Sequence, residues 1–103
     1  MQAEVKNQIE AVLNDNKVVL FMKGTPQFPM CGFSARATAI LSELGSTFHT
    51  VNVLDNPVIR EGIKEYGNWP TIPQLYIDKE LVGGSDIMME MYETGELKEM
   101  LSK

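Results

Sequence analysis

The only cysteine in the chain, Cys31, stands where a proline-rich loop meets a helix, in the run Cys31-Gly32-Phe33-Ser34. A thiol at a helix N-terminus faces unpaired main-chain N–H groups and the positive end of the helix dipole. That placement lowers a thiol pKa from about 8.5 into the range of roughly 3.5–7.5, giving the thiolate that attacks sulfur or binds metal. The alternative for a lone cysteine is a small buried hydrophobe, and the residue alone weighs the two evenly. Two neighbours favour chemistry. Gly32 leaves room for close approach to the sulfur, and the prolines before it hold Cys31 in a loop at the sheet edge.

Trp69-Pro70-Thr71-Ile72-Pro73 is the second informative run. Residues before proline are pushed out of the helical region, so the chain must run extended here. Pro73 directly precedes a strand, and we expect a cis Ile72-Pro73 bond that turns the N–H and C=O of Ile72 outward, free to pair with a peptide-like ligand. The alternative is a rigid loop stiffened by two prolines, since only roughly 5–6% of X–Pro bonds are cis. Gly83-Gly84-Ser85-Asp86 offers free N–H groups, a hydroxyl and a carboxylate, an arrangement suited to an anion and an ammonium. Alone it reads better as a turn followed by an ordinary helix cap. Among the few basic residues, Lys23 ends a strand beside the Cys31 loop, while Arg60 and Lys64 share one helical face. Arg by a bidentate fork and Lys as a point charge could hold ligand carboxylates there. Met88, Met89, Met91 and Met100 read as core filling rather than as metal ligands.

These groups need one small scaffold. The chain has 103 residues, 44% hydrophobic and 22% charged, which suits a single domain with one modest core. A net charge of −5 argues against a nucleic-acid binder. No apolar run reaches the roughly 20 residues needed to cross a bilayer. The first residues lack a signal-peptide or Arg-rich transit pattern. The expectation is a soluble protein of a cytoplasm, or of an organelle matrix or stroma after processing. One cysteine allows no internal disulfide and fits a reducing compartment. With a single histidine, His49, it also excludes an ordinary one-chain zinc site.

The pattern predicts α-β-α-β-α-β-β-α. Val5, Ile9, Val12 and Leu13 form one stripe of an amphipathic helix over 4–13. Val18 to Met22 is a short apolar run, as in a strand buried on both faces. A helix follows Cys31 with Phe33, Ala37, Ile40, Leu41 and Leu44 on its core face and Gly45 as the stop. Phe48 to Val53 gives a second strand. Asn56-Pro57 opens a helix carrying Ile59, Ile63 and Tyr66 and closed by Gly67. Gln74 to Ile77 and Leu81 to Gly83 flank Asp78-Lys79-Glu80 as a hairpin. Ser85 or Asp86 caps a last helical region with Ile87, Met88, Met91 and Tyr92, interrupted by Gly95 before Leu97 and Leu101. A mixed four-stranded sheet with helices on both faces satisfies this order.

With these motifs the sequence resembles the monothiol glutaredoxins of the Cys-Gly-Phe-Ser type, from about Val5 to Leu101. The resemblance rests on Phe21-Met22-Lys23-Gly24-Thr25-Pro26, Cys31-Gly32-Phe33-Ser34, Trp69-Pro70-Thr71-Ile72-Pro73-Gln74-Leu75 and Gly83-Gly84-Ser85-Asp86. It implies a thioredoxin-like (glutaredoxin) fold and a cis Pro73. It implies glutathione bound by Lys23, Cys31, Phe33, Arg60, Thr71, Ile72, Pro73, Ser85 and Asp86, and a [2Fe-2S] cluster ligated by Cys31. Thiol counting agrees with that last point. Such clusters usually take four thiolates, so two chains and two glutathiones would complete the set across a homodimer. Many members have Cys where Ser85 stands; the hydroxyl can still bond a carboxylate, but any disulfide with Cys31 is lost.

Three activities follow from the resemblance. The first is a carrier that delivers a labile cluster to apo iron–sulfur acceptor proteins in cluster assembly and iron homeostasis. The second is a glutathione-dependent oxidoreductase using Cys31 in a one-thiol route. The third is an adaptor that exchanges its partner copy for a BolA-like protein. The sequence leans to the first. The Lys23–Cys31 loop is longer than in dithiol glutaredoxins, and Gly32-Phe33 replaces their Pro-Tyr, so slow or absent reductase activity is expected.

Overall fold

The computed structural model describes residues 1–103. Five helices and four strands follow the predicted order, the last helical region being two helices: α1 (Ala3–Asp15), β1 (Val18–Met22), α2 (Gly32–Glu43), β2 (His49–Asn52), α3 (Pro57–Tyr66), β3 (Gln74–Ile77), β4 (Glu80–Gly83), α4 (Ser85–Thr94) and α5 (Glu96–Leu101). The sheet order is β2-β1-β3-β4. β1 runs parallel to β2, with Phe21 opposite Val51, and antiparallel to β3, with Leu20 opposite Leu75. β4 completes the hairpin on the far edge.

All five residues of β1 are buried because helices cover both faces of the sheet. On one face α1 and α3 pack Val5, Ile9, Leu13, Ile59 and Ile63 against Val19, Phe21 and Tyr76. The Phe21 and Tyr76 rings meet edge to face at 5.6 Å, a favoured aromatic geometry. On the other face α2, α4 and α5 pack Ala37, Ile40, Leu41, Met88 and Leu97 against Val18, Leu20, Met22 and Leu75. Each fully buried aliphatic side chain contributes about 1.5–3 kcal/mol, so the two clusters hold β1 and β3 firmly. No helix is long and apolar enough to cross a membrane.

Local signals decide most boundaries. Asn56 caps α3, its Oδ1 accepting from the Ile59 N–H at 3.1 Å, with Pro57 in the first turn. Gly95, at φ 85°, separates α4 from α5. Gly45 stops α2 as expected: directly after the cap Leu44, at φ 69°, its N–H donates to the Ser42 carbonyl at 3.0 Å and the Ser46 N–H to the Leu41 carbonyl at 3.1 Å. Four expectations are corrected. Phe33 lies at the exposed start of α2, not on its core face. β2 is shorter than 48–53. The cap of α4 is Gly84, and neither Ser85 nor Asp86 makes a side-chain capping bond; Ser85 is already the first helical residue. In the hairpin, Glu80 pairs with Ile77, leaving a two-residue turn at Asp78 and Lys79.

Candidate functional site

Cys31 is the N-cap of α2, with extended backbone and its carbonyl accepting from the Ala35 N–H at 2.9 Å. The loop before it is held at several points. The Met30 N–H donates to the Lys23 carbonyl at 2.9 Å, and Thr25 and Phe28 exchange main-chain bonds of 3.2 and 3.1 Å. Gly24 has φ 90°, and a Cβ there would sit 2.7 Å from the Met30 nitrogen, so only glycine lets the loop fold back. Asn52, at the end of β2, accepts from the N–H groups of Gly24 and Leu54 at 2.9 and 3.0 Å. The Lys23 N–H donates to Ser34 Oγ at 3.0 Å.

This setting acidifies the thiol. The Ser34 N–H is the leading cause that draws the Cys31 pKa below its ordinary value, burial opposes it, and the Phe33 N–H, the Lys23 ammonium and the Ser34 hydroxyl add to it. The thiol closes no capping hydrogen bond of its own. The N–H groups therefore act as oriented dipoles that favour the thiolate.

Opposite the thiol runs the segment from Trp69 to Pro73, and its Ile72-Pro73 bond is cis, as expected. Neither the N–H nor the C=O of Ile72 bonds to another group of the chain. Together these elements enclose a cleft of about 490 Å³. Lys23, Cys31, Phe33, Arg60, Thr71, Ile72, Pro73, Ser85 and Asp86 all line it, so one cleft brings together every residue expected to bind the ligand.

The cleft is locally cationic in an acidic chain. Lys23, Arg60 and Lys64 line it, against Asp86 as the only acid. Lys64 pairs with Glu61 at 3.1 Å, and exposed Asp86 lies 3.4 Å from Arg36, so Lys23 and Arg60 are the cations left to a ligand. The chain's two buried side-chain polar atoms without a partner, Arg60 Nε and Trp69 Nε1, belong to residues that line this same cleft. Buried donors are seldom left unpaired, and these two fit an anionic or carbonyl-bearing ligand.

Around the thiol the surface is apolar: Phe28, Met30 and Phe33 are 77%, 67% and 54% exposed. The chain has no group of three or more His, Cys, Asp or Glu side chains able to hold a metal ion. A larger groove of about 800 Å³, at the other end of β1, brings His49 together with Lys17 and Lys98. It contains no thiol, and its Lys17 ammonium donates to the Leu101 carbonyl at the end of α5 at 3.5 Å. The Cys31 cleft is therefore the candidate site.

Sequence reasoning assigned no role to Asn52 or Gln74, both of which hold the walls of this cleft. The available signal was a lone polar residue inside each apolar strand run, Val51-Asn52-Val53 and Gln74-Leu75-Tyr76-Ile77. It also gave Trp69 no part of its own.

The glutaredoxin family model matches residues 18–82. An uncharacterized monothiol glutaredoxin of Synechocystis is 55% identical over 101 residues, 98% of this chain and 94% of that protein. The solution structure of reduced poplar apo GrxS14 superposes with a TM-score of 0.84 at 51% identity, over 95% of this chain and 90% of that one. A buckwheat glutaredoxin–glutathione complex matches in fold, with a TM-score of 0.85 at 24% identity over 99% and 94% of the two chains. The thiol, the cis-proline segment and these likenesses agree: the chain belongs to the glutaredoxin family, among its monothiol members of the Cys-Gly-Phe-Ser type.

Proposed function

We propose that the chain binds glutathione in the Cys31 cleft and, with a second copy, carries a labile [2Fe-2S] cluster to acceptor proteins. One observation carries this reading: an acidified lone thiol shares a cleft with two free cations and the unpaired main chain of Ile72. Glutathione is a peptide with two carboxylates, one ammonium and a thiol. Lys23 and Arg60 would neutralise carboxylate charge, and Ile72 would pair with the peptide backbone as a strand does. The N–H groups at the start of α4 and the Asp86 carboxylate would take the other end, its ammonium displacing Arg36. The buckwheat relative of the same fold was solved with glutathione, which supports this occupant.

The cluster is cargo. This chain can give it one thiolate, and clusters of this kind usually need four; a second chain and two glutathiones give the rest. The exposed Phe28, Met30 and Phe33 beside the thiol are the apolar surface that a second copy, a BolA-like protein or an acceptor would cover. Anaerobic reconstitution with iron, sulfide and glutathione tests the reading. It predicts a coloured dimer that needs glutathione. A colourless monomer under those conditions refutes it.

The low thiol pKa favours a second reading, removal of glutathione from protein mixed disulfides. The Cys31 thiolate would attack the glutathionyl sulfur and expel the protein thiolate, which takes a proton. A free glutathione thiolate would then attack the Cys31 mixed disulfide, releasing glutathione disulfide and restoring the thiolate. Turnover of a glutathionylated protein at a rate typical of enzymes, without cluster binding, would select this reading.

A further inference from the structure

Gln74 begins β3, opposite Phe21 of β1, and its side chain is fully buried without lining the cleft. Every polar group on that side chain is used. Nε2 donates to the carbonyls of Trp69 and Thr71 at 3.0 and 3.2 Å. Oε1 accepts from the Tyr76 hydroxyl at 3.0 Å. The orientation is forced, since two carbonyl oxygens can only be met by the NH₂ group, which leaves the amide oxygen to Tyr76. Tyr76 is itself fixed by Phe21 and Tyr66, at ring distances of 5.6 and 6.3 Å. Gly67 completes the arrangement: a Cβ there would collide with the Tyr76 hydroxyl and lie 3.1 Å from Gln74 Oε1.

We propose that Gln74 is the positioning residue of the ligand cleft, transmitting the rigidity of the β1–β3 pair to the segment that presents the Ile72 main chain. The segment from Trp69 to Ile72 makes few bonds of its own. Beyond the Gln74 amide, Trp69 is held by its N–H to the Lys64 carbonyl at 2.9 Å, at the end of α3. Thr71 has only the Gln74 bond, and Ile72 has none. The amide thus pins both sides of Pro70. Without it two part-buried carbonyls lose their donor, and the residues facing the ligand move on a loop. A main-chain recognition edge works only when it is already ordered, because ordering it on binding costs affinity.

The proposal rests on glutathione as the ligand of this cleft, and its test separates the two. In Gln74→Leu, and in Gln74→Met, which keeps the length of the side chain but has no donor, backbone order parameters from nitrogen relaxation are measured on the ligand-free protein. Those of Thr71 and Ile72 fall in both variants, while those of Cys31 and Ser34 hold. Glutathione affinity by calorimetry drops about tenfold. The pH midpoint of Cys31 alkylation stays where it is, which a general loosening of the fold would not allow. Tyr76→Phe, which spares both carbonyl bonds, keeps most of the affinity. If only Gln74→Met folds, it decides alone. Unchanged loop order and affinity overturn the proposal, as does a loss shared equally by Ser34 and the thiol titration. If the native chain takes up no glutathione, the ligand reading fails, and the order parameters still decide whether Gln74 pins the loop.

Discussion

The main-chain N–H of Lys23 donates to the Oγ of Ser34 at 3.0 Å, tying the end of β1 to the first turn of α2 across the loop that carries Cys31. Ser34 is fully buried, so the acceptor end of this part-buried bond is shielded from water. It fixes how the first N–H groups of α2 face the sulfur, and it keeps Lys23 near enough to act on the thiol. The reactivity of Cys31 is thus set by the junction of a strand and a helix.

Ser34→Ala leaves the part-buried Lys23 N–H without its partner, which costs about 1 kcal/mol. It also removes one of the contributions that hold the thiol acidic. Denaturant unfolding should show that loss of stability, and the alkylation midpoint of Cys31 should move to higher pH. A variant with native stability and native thiol titration would mean that the bond has no such role.

Lys23→Met removes a positive charge that favours the thiolate, so Cys31 should alkylate more slowly at neutral pH, with a raised midpoint. Lys23→Arg keeps the charge and should titrate like the native chain. The same shift appears in stability. A thiol more acidic folded than unfolded adds stability that is complete above the unfolded pKa of about 8.5 and disappears as the pH falls through the folded value. Cys31→Ser abolishes that pH dependence, and unfolding curves across this window measure it.

Gly67→Ala places a methyl against the Tyr76 hydroxyl and should destabilise the fold by about 1–3 kcal/mol, the usual cost of overpacking. The cost should shrink in a Tyr76→Phe background, where the hydroxyl is gone. A double-mutant cycle on unfolding free energies reads the coupling. Strict additivity would show that the collision is relieved elsewhere.

Asp78 and Lys79 turn the hairpin with φ of 50° and 70°, a region that costs an L-residue roughly 1–2 kcal/mol. Glycine accepts it freely but returns about 0.4–1 kcal/mol through greater freedom when unfolded. Lys79→Gly should therefore stabilise by up to about 1 kcal/mol, visible as a raised Tm. A lowered Tm would show that the lysine side chain contributes more than the backbone strain removes.

The framework of the site was legible because each signal was local. A proline before a strand foretold the cis bond at Pro73, Asn56-Pro57 foretold its cap, and a thiol between loop and helix foretold the N-terminal Cys31. Phe33 misled because its spacing to Ala37 and Leu41 matches a helical stripe. The buried stripe already begins in that first turn, at Ser34, and continues through Ala37, Thr38 and Leu41, so Phe33 stands one position off it. Ser85 looked like a cap because hydroxyl residues favour that position, but the extended Gly84 takes it. Gln74 and Asn52 act through partners outside their own strands, Trp69 and Thr71 for one and Gly24 and Leu54 for the other. No pattern in a single strand shows such a partner.

The stoichiometry of the reconstituted species tests the central claim most directly. Iron, sulfide, protein and glutathione are quantified after anaerobic assembly and gel filtration, beside Cys31→Ser. The account predicts one [2Fe-2S] unit for two chains and two glutathiones, with no cluster in Cys31→Ser. A cluster held by a single chain, formed without glutathione, or retained by Cys31→Ser would contradict it.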